Sequence, residues 1–331
     1  MALTPPRIEP VPTGDGARPF WSVMIPTRDP DPGYLAEALA SVLAQDPGPA
    51  AMEIVVVDDG SDRLAATRRG GLPGGNRVAW TRQPRHVGIG ENWNACIRRA
   101  RGRWVHILHQ DDLVRPGFYE RLREGIERSP TVGAAFCRDV MIGPAGERIA
   151  SQVPIRPAPG IVEDWLEHVF VGLHLRASAL VVRRSVYEAL GGFSPALRYA
   201  LDWDMWKRIA VAYPLWYEPA ELACARRHDG QASAAFRRSG AAHLAEIRRS
   251  IELSAPLLPP AVAPGVTRRA REVYTRYAVQ SAWRALRAGG LRASLAQLRE
   301  ARRLTSARGV AVAVTRLLRR APWTARPART S

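Results

Sequence analysis

The chain has few cysteines and almost no lysine: Cys96, Cys137 and Cys224 stand far apart in 331 residues, and arginine outnumbers lysine 47 to one. Three scattered cysteines without metal-ligand spacing exclude a disulfide-stapled scaffold and fit a reduced, cytosolic setting. No run of about 18 apolar residues occurs. The longest candidates, residues 169–182 and 309–318, are short, and His174 and Arg176 break the first. The chain is therefore not expected to span a membrane. Residues 1–18 are proline-rich and lack an apolar h-region, so no secretion signal is expected. Low-complexity segments and internal repeats of fixed period are also missing.

What is present is enough apolar residue, 46% of the chain, for a full core. The length suits one large domain, or one domain with an appendage. The formal charge of +17 is uneven. Residues 1–236 hold 28 basic against 27 acidic side chains, whereas residues 237–331 hold 20 arginines against four glutamates. A tail of this sign suits anionic lipid headgroups, nucleic acid or an acidic partner. Nucleic acid is not expected, because the arginines lack interleaved aromatics and no recognised motif accompanies them. Arg302, Arg303, Arg316, Arg319 and Arg320 flank the apolar residues 310–314, the pattern of an interfacial helix. A solvated helical extension accounts for them equally well.

Hydrophobic periodicity predicts strands over residues 21–25 (stopped by Pro26), 53–57, 77–81, 104–108 and 132–137. Helices are predicted over 34–45, 91–101 (stopped by Gly102), 118–127 and 202–211. In the first of these, Leu35, Leu39 and Val42 form one apolar face. Strand and helix alternate at βαβ spacing, which predicts an α/β fold with an open, mostly parallel sheet flanked by helices. Beyond residue 239 the chain is helix-compatible, broken by prolines at 258–265 and by Gly289-Gly290. The expected organisation is a flexible lead (1–19), an α/β domain (20–238) and a basic helical C-terminal extension (239–331).

Two acidic pairs, Asp58-Asp59 and Asp111-Asp112, sit at the carboxyl ends of predicted parallel strands, where open α/β sheets bind ligands. Adjacent carboxylates suit Mg²⁺ or Mn²⁺ on a diphosphate. For Asp58-Asp59, followed by Gly60-Ser61, an Asx-turn or helix cap explains the pair equally well. Asp204 is expected to pair with Arg208 at i+4, and Trp206 to lie in the core. Trp203 reads as either core or sugar platform. Gly88 and Gly90 need be no more than a turn into a helix.

The blocks Ser22-Val23-Met24-Ile25-Pro26-Thr27, Ala38-Leu39-Ala40-Ser41-Val42-Leu43 and Val56-Val57-Asp58-Asp59-Gly60-Ser61 resemble the opening of family 2 glycosyltransferases, which have the GT-A fold. The likeness continues through Gly88-Ile89-Gly90-Glu91-Asn92-Trp93-Asn94, His109-Gln110-Asp111-Asp112, Leu190-Gly191-Gly192-Phe193, Asp202-Trp203-Asp204 and Arg227-His228-Asp229. It covers about residues 20–235.

The resemblance implies an inverting transfer of a sugar from a nucleotide-diphosphate donor to a hydroxyl of a glycan or glycolipid. Asp202 matches the general base, and Asp59 the aspartate that bonds the nucleotide base, with Pro26, Thr27 and Arg28 beneath that base. Asp111 matches a nucleotide-sugar and metal carboxylate, Asp112 a metal ligand, and His228 a histidine near the metal or diphosphate. A divalent cation, Mn²⁺ or Mg²⁺, is implied as cofactor. A UDP-, dTDP- or GDP-linked donor and a glycan or lipid-linked acceptor are the implied partners, in the bacterial cytoplasm or peripherally on the inner face of the plasma membrane. Arg28 replaces a common aromatic, His109 takes the first position of the usual Asp-x-Asp, and Leu201 replaces a common glutamate. The alternative is a catalytically inactive nucleotide-binding scaffold in a glycan-assembly complex.

Overall fold

A computed structural model describes residues 4–12, 17–62, 71–163, 165–172, 175–238 and 240–320. His174, singled out above, lies outside them. The chain divides into two compact units, one of residues 1–169 with 173–231, the other of residues 170–172 with 232–331.

The first unit is built on a ten-stranded sheet of order β3-β2-β1-β4-β9-β6-β10-β5, with β7 beside β6 and β8 beside β10. The strands are β1 (Trp21–Thr27), β2 (Met52–Asp58), β3 (Val78–Arg82), β4 (Trp104–Ile107), β5 (Leu113–Val114), β6 (Ala134–Ile142), β7 (Arg148–Ser151), β8 (Gly160–Ile161), β9 (Leu180–Arg183) and β10 (Leu215–Arg226). The long ladders, β1 to β2, β2 to β3 and β6 to β10, are parallel, as is β1 to β4; the short ones are antiparallel. Parallel pairing needs crossovers: α1 (Pro32–Leu43) links β1 to β2, and α2 (Ile89–Arg99) carries the chain from β3 to β4 beside β1. Then follow α3 (Phe118–Arg128), α4 (Trp165–Val171), α5 (Arg184–Leu190) and α6 (Leu201–Ala212).

Pro26 does not stop β1, contrary to the pattern reading. In a parallel ladder successive residues turn their backbone groups to alternate neighbours. Thr27 O accepts from Asp59 N on the β2 side, and Met24 O from Leu108 N on the β4 side. Pro26 therefore faces the β4 side, where pairing has already ended at Met24 with Ile107. Its missing N–H costs no ladder bond.

Gly102 is likewise not a helix stop of the left-handed kind: α2 ends at Arg99. A Cβ on Gly102 would lie 2.6 Å from Ser22 N, so the glycine lets two chain segments touch. Strand β10 was not expected at all. Pro219 and two glutamates interrupt its apolar run, and the sheet absorbs them as register shifts between Glu218 and Ala223. The lead does not hang free over residues 4–12: Ile8 is buried, and Pro6 O accepts from Gly192 N at 2.8 Å.

The second unit is helical, with α7 (Ala232–Arg238), α8 (Ala242–Ser254), α9 (Ala263–Arg287), α10 (Leu291–Leu304) and α11 (Ala307–Arg320). Helices α9 and α10 form a hairpin across Gly289-Gly290, and α11 packs against α9.

Candidate active site

The carboxyl ends of β1, β2 and β4 open on one edge of the sheet, and side chains from each meet there. Gln110, after β4, accepts from Arg28 N at 2.9 Å, while the Arg28 guanidinium donates to Asp59 O at 3.1 Å. The three strand ends are thus tied together. At the β1 exit Asp29 adopts φ 39°, and its N–H donates to Ser61 Oγ at 2.7 Å. Pro26 and Thr27 are buried in the sheet as a floor, and only Arg28 of that trio is exposed.

Asp58 and Asp59 have separate jobs. Asp58 is fully buried; its carboxylate accepts from Ser61 N at 3.0 Å and from Ser61 Oγ, the turn that Gly60-Ser61 suggested. Asp59 faces the 86–88 segment, with Oδ1 accepting from Val87 N at 2.7 Å. Its Oδ2 accepts from Gly88 N at 3.0 Å and lies 2.7 Å from His86 Nδ1. Gly88, at φ 90°, serves this turn into α2.

Asp112 is held from two sides. Oδ1 accepts from Arg226 N at 2.9 Å, and Oδ2 lies 3.1 Å from His109 Nδ1. Burial opposes its charge, but the hydrogen bonds from His109 and Arg226 keep the carboxyl below its ordinary range. Asp111 Oδ2 meets His228 Nε2 at 2.8 Å and Gln231 Nε2 at 3.1 Å. The His228 ring leans on Tyr34, with centroids 5.1 Å apart.

Among the described residues His109, Asp111 and Asp112 offer ligand atoms that all lie within 4.8 Å of one another. His228, expected from sequence near the metal or diphosphate, is bonded to Asp111 and lies outside that group, which takes in His109. His109 packs on Trp93 at 5.1 Å, and its Nε2 is buried without a hydrogen-bond partner. Burial works against protonation of this ring, yet Asp112, Asp111 and Asp202 together hold its pKa above the ordinary histidine value. Two carboxylates and an imidazole suit a divalent cation that accepts both oxygen and nitrogen, such as Mn²⁺.

Asp202 stands in the first turn of α6, partly buried. Burial raises its carboxyl to about 6, against the pull of the Trp203 N–H, His109 and Arg176. It is thus within electrostatic reach of the His109 cluster. Arg176 forms an ion pair with buried Asp139 on β6, whose other oxygen accepts from Gln152 Nε2 at 2.6 Å. The ends of β1, β2 and β4 are therefore joined, and the charge of Asp202 at the start of α6 is coupled to His109 and Arg176.

Other residues hold the frame. Asp204 pairs with Arg208 at 3.0 Å, and Trp203 and Trp206 are both core. Asn94 accepts from Phe193 N at 2.7 Å and donates to Phe193 O at 2.9 Å. A Cβ on Gly192 would meet Asn94 Oδ1 at 2.2 Å, so two distant motif blocks are one staple. The pattern reading missed Arg226, buried beneath the acidic pair. Its guanidinium donates to the carbonyls of Asp111 (3.0 Å) and Pro144 (3.0 Å) and lies 4.4 Å from the Tyr34 ring centroid. Only its place just before Arg227-His228 could have signalled it.

Comparison with known proteins bears on family and fold. A succinoglycan biosynthesis protein ExoO of Rhizobium meliloti is 39% identical over 105 residues, covering 32% of this chain and 28% of its own length. An uncharacterized glycosyltransferase of Rickettsia typhi is 24% identical over 219 residues, covering 64% of this chain and 65% of its own. The chain thus spans less than two thirds of either relative. Among solved structures, the mannosyltransferase PcManGT of Pyrobaculum calidifontis, in complex with GDP-Man and Mn²⁺, matches with a TM-score of 0.58 at 20% identity, over 95% of this chain and 83% of that one. TarS of S. aureus in complex with UDP-GlcNAc matches with a TM-score of 0.55 at 15% identity, over 86% and 91%. These likenesses are of fold, the GT-A type. The family model described as glycosyl transferase family 2 matches residues 22–191, half of the chain, and with strand-end carboxylates arranged as above the chain belongs to that family.

Proposed function

We propose that the chain transfers a sugar from a nucleoside-diphosphate donor to a hydroxyl of a glycan or lipid-linked acceptor, with inversion at the anomeric carbon. What supports this reading is the cluster of His109, Asp111 and Asp112 just after β4, with the Asp202 carboxyl, raised to about 6 by burial, coupled in charge to His109. A sugar hydroxyl is a poor nucleophile, so a carboxylate must take its proton as the new bond forms. A group poised near neutral pH does this well, and with no covalent intermediate a single in-line displacement follows.

A bound Mn²⁺ or Mg²⁺ would offset the charge that grows on the leaving diphosphate. Asp111, Asp112 and His109 would hold it, with His228 and Gln231 orienting Asp111. Asp59 would accept from the nucleotide base through the lone pair left on Oδ1, and Arg28 would cover that base from the exposed side. The name of the rhizobial relative supports an acceptor in polysaccharide assembly. We read residues 20–238 as the catalytic domain and the basic helices beyond as the part that meets anionic lipid on the cytoplasmic face.

The test is thermal stabilisation by UDP, GDP, dTDP and CMP, each with and without Mn²⁺, followed by donor hydrolysis. One nucleoside diphosphate should stabilise the protein, and more strongly with Mn²⁺. No stabilisation by any of them would overturn the reading. Binding without hydrolysis would favour the inactive scaffold, to which Leu201 and His109 lend some support.

A further inference from the structure

The apolar stripe expected of an interfacial helix is only partly used: in α11, Ala313 is buried and Val314 and Leu317 are partly covered, with the helix packed on α9, while Val312 and Leu318 stay 43% and 45% exposed. A different surface of the second unit is open. At the tip of the α9–α10 hairpin, Trp283, Leu286, Leu291 and Leu295 are 39%, 44%, 58% and 46% exposed. All four lie within two helical turns of Gly289-Gly290.

The turn itself is closed by backbone hydrogen bonds. Gly290 N donates to Ala285 O at 2.8 Å and Gly289 N to Leu286 O at 3.0 Å, with Gly289 at φ 77°. This is a Schellman cap, in which the residue at the Gly290 position commonly folds an apolar side chain back onto the helix. Glycine has none to fold back. Leu291, the next residue, points to solvent.

The charge around the tip has one sign. Between Glu272 and Glu300 the chain has five arginines and no acidic residue. Of these, Arg284, Arg287 and Arg292 flank the four apolar side chains, are exposed, and have no carboxylate in ion-pair range among the described residues. A second copy of the chain would bring the same positive tip and be repelled. An anionic bilayer offers both matching features, acyl boundary for the apolar residues and phosphates for the guanidiniums, and tryptophan is at home at that depth.

We propose that this hairpin tip is the membrane-docking element, inserting Trp283, Leu286, Leu291 and Leu295 into the headgroup region of an anionic bilayer while Arg284, Arg287 and Arg292 bind lipid phosphates. The proposal rests on the lipid-surface reading of the basic helices and assigns it to one place. Glycolipid acceptors would thereby be held near the enzyme.

Co-sedimentation of the full chain with phosphatidylcholine vesicles, with and without phosphatidylglycerol, tests it. The wild type should bind only the anionic vesicles. Trp283→Ala with Leu291→Ser should weaken that binding about tenfold or more, and Arg284→Gln, Arg287→Gln and Arg292→Gln together should do the same. The control Arg308→Gln, Arg316→Gln and Arg319→Gln removes equal charge from α11 and should cost much less. Thermal melts and nucleotide binding, unchanged in all variants, keep a folding defect or a failed transfer reading separate. No vesicle binding by the wild type would overturn the lipid reading as a whole. Undiminished binding by the hairpin variants would overturn the hairpin alone. Concentration-dependent self-association that the hairpin variants abolish, without vesicle binding, would assign the patch to a second copy and overturn the proposal too.

Discussion

His109 Nδ1 stands 3.1 Å from Asp112 Oδ2, with the far ring nitrogen buried and unbonded. Where an acidic residue is usual, this chain has an imidazole next to a metal-type carboxylate. His109→Ala should therefore weaken Mn²⁺ binding roughly 10- to 100-fold, read by electron paramagnetic resonance of the free ion. Asp112→Asn should weaken it at least as much. Equal affinity in wild type and His109→Ala would remove the imidazole from the metal site.

Asp202 predicts a pH profile. As a base it must be ionised, so kcat/KM should rise about tenfold per pH unit up to about 6 and then level. A rate independent of pH between 5 and 7 would contradict this.

The same shift has a stability consequence of opposite sense. A folded-state pKa near 6 lies above the ordinary 3.8, so the folded chain holds this proton more tightly than the unfolded one. The stabilisation is complete below about pH 4 and is lost as pH rises through 6. Asp202→Asn should be more stable than wild type at pH 7.5, by on the order of 1–3 kcal/mol, and show little gain at pH 4. Urea melts at the two pH values check it; a variant less stable at pH 7.5 would refute it.

Gly102→Ala tests the frame beneath the site. The added Cβ would fall 2.6 Å from Ser22 N and 2.7 Å from Trp21 C, both backbone atoms with little room to move. A loss of about 1–3 kcal/mol is expected. A change under about 0.5 kcal/mol would mean that the two segments separate easily.

The strands that deliver the acids were legible because β-branched apolar runs end abruptly in carboxylates, as at Val57-Asp58-Asp59 and Leu108 to Asp112. The fold class followed from their alternation with helices. What was not legible is non-local. Asp59 is tied to Val87 and Gly88, His109 belongs with Asp111 and Asp112, and Arg226 braces the acidic pair from 114 residues away. No local period signals such contacts. Strand β10 escaped notice because Pro219 splits it, and the exposed hairpin tip because a helical period does not say which faces a neighbour will cover.

The most direct measurement is donor binding and sugar transfer by Asp202→Asn, side by side with wild type. Donor affinity should stay within about twofold while transfer falls roughly 10²- to 10⁴-fold. Transfer at near the wild-type rate would remove Asp202 from the chemistry and contradict the account.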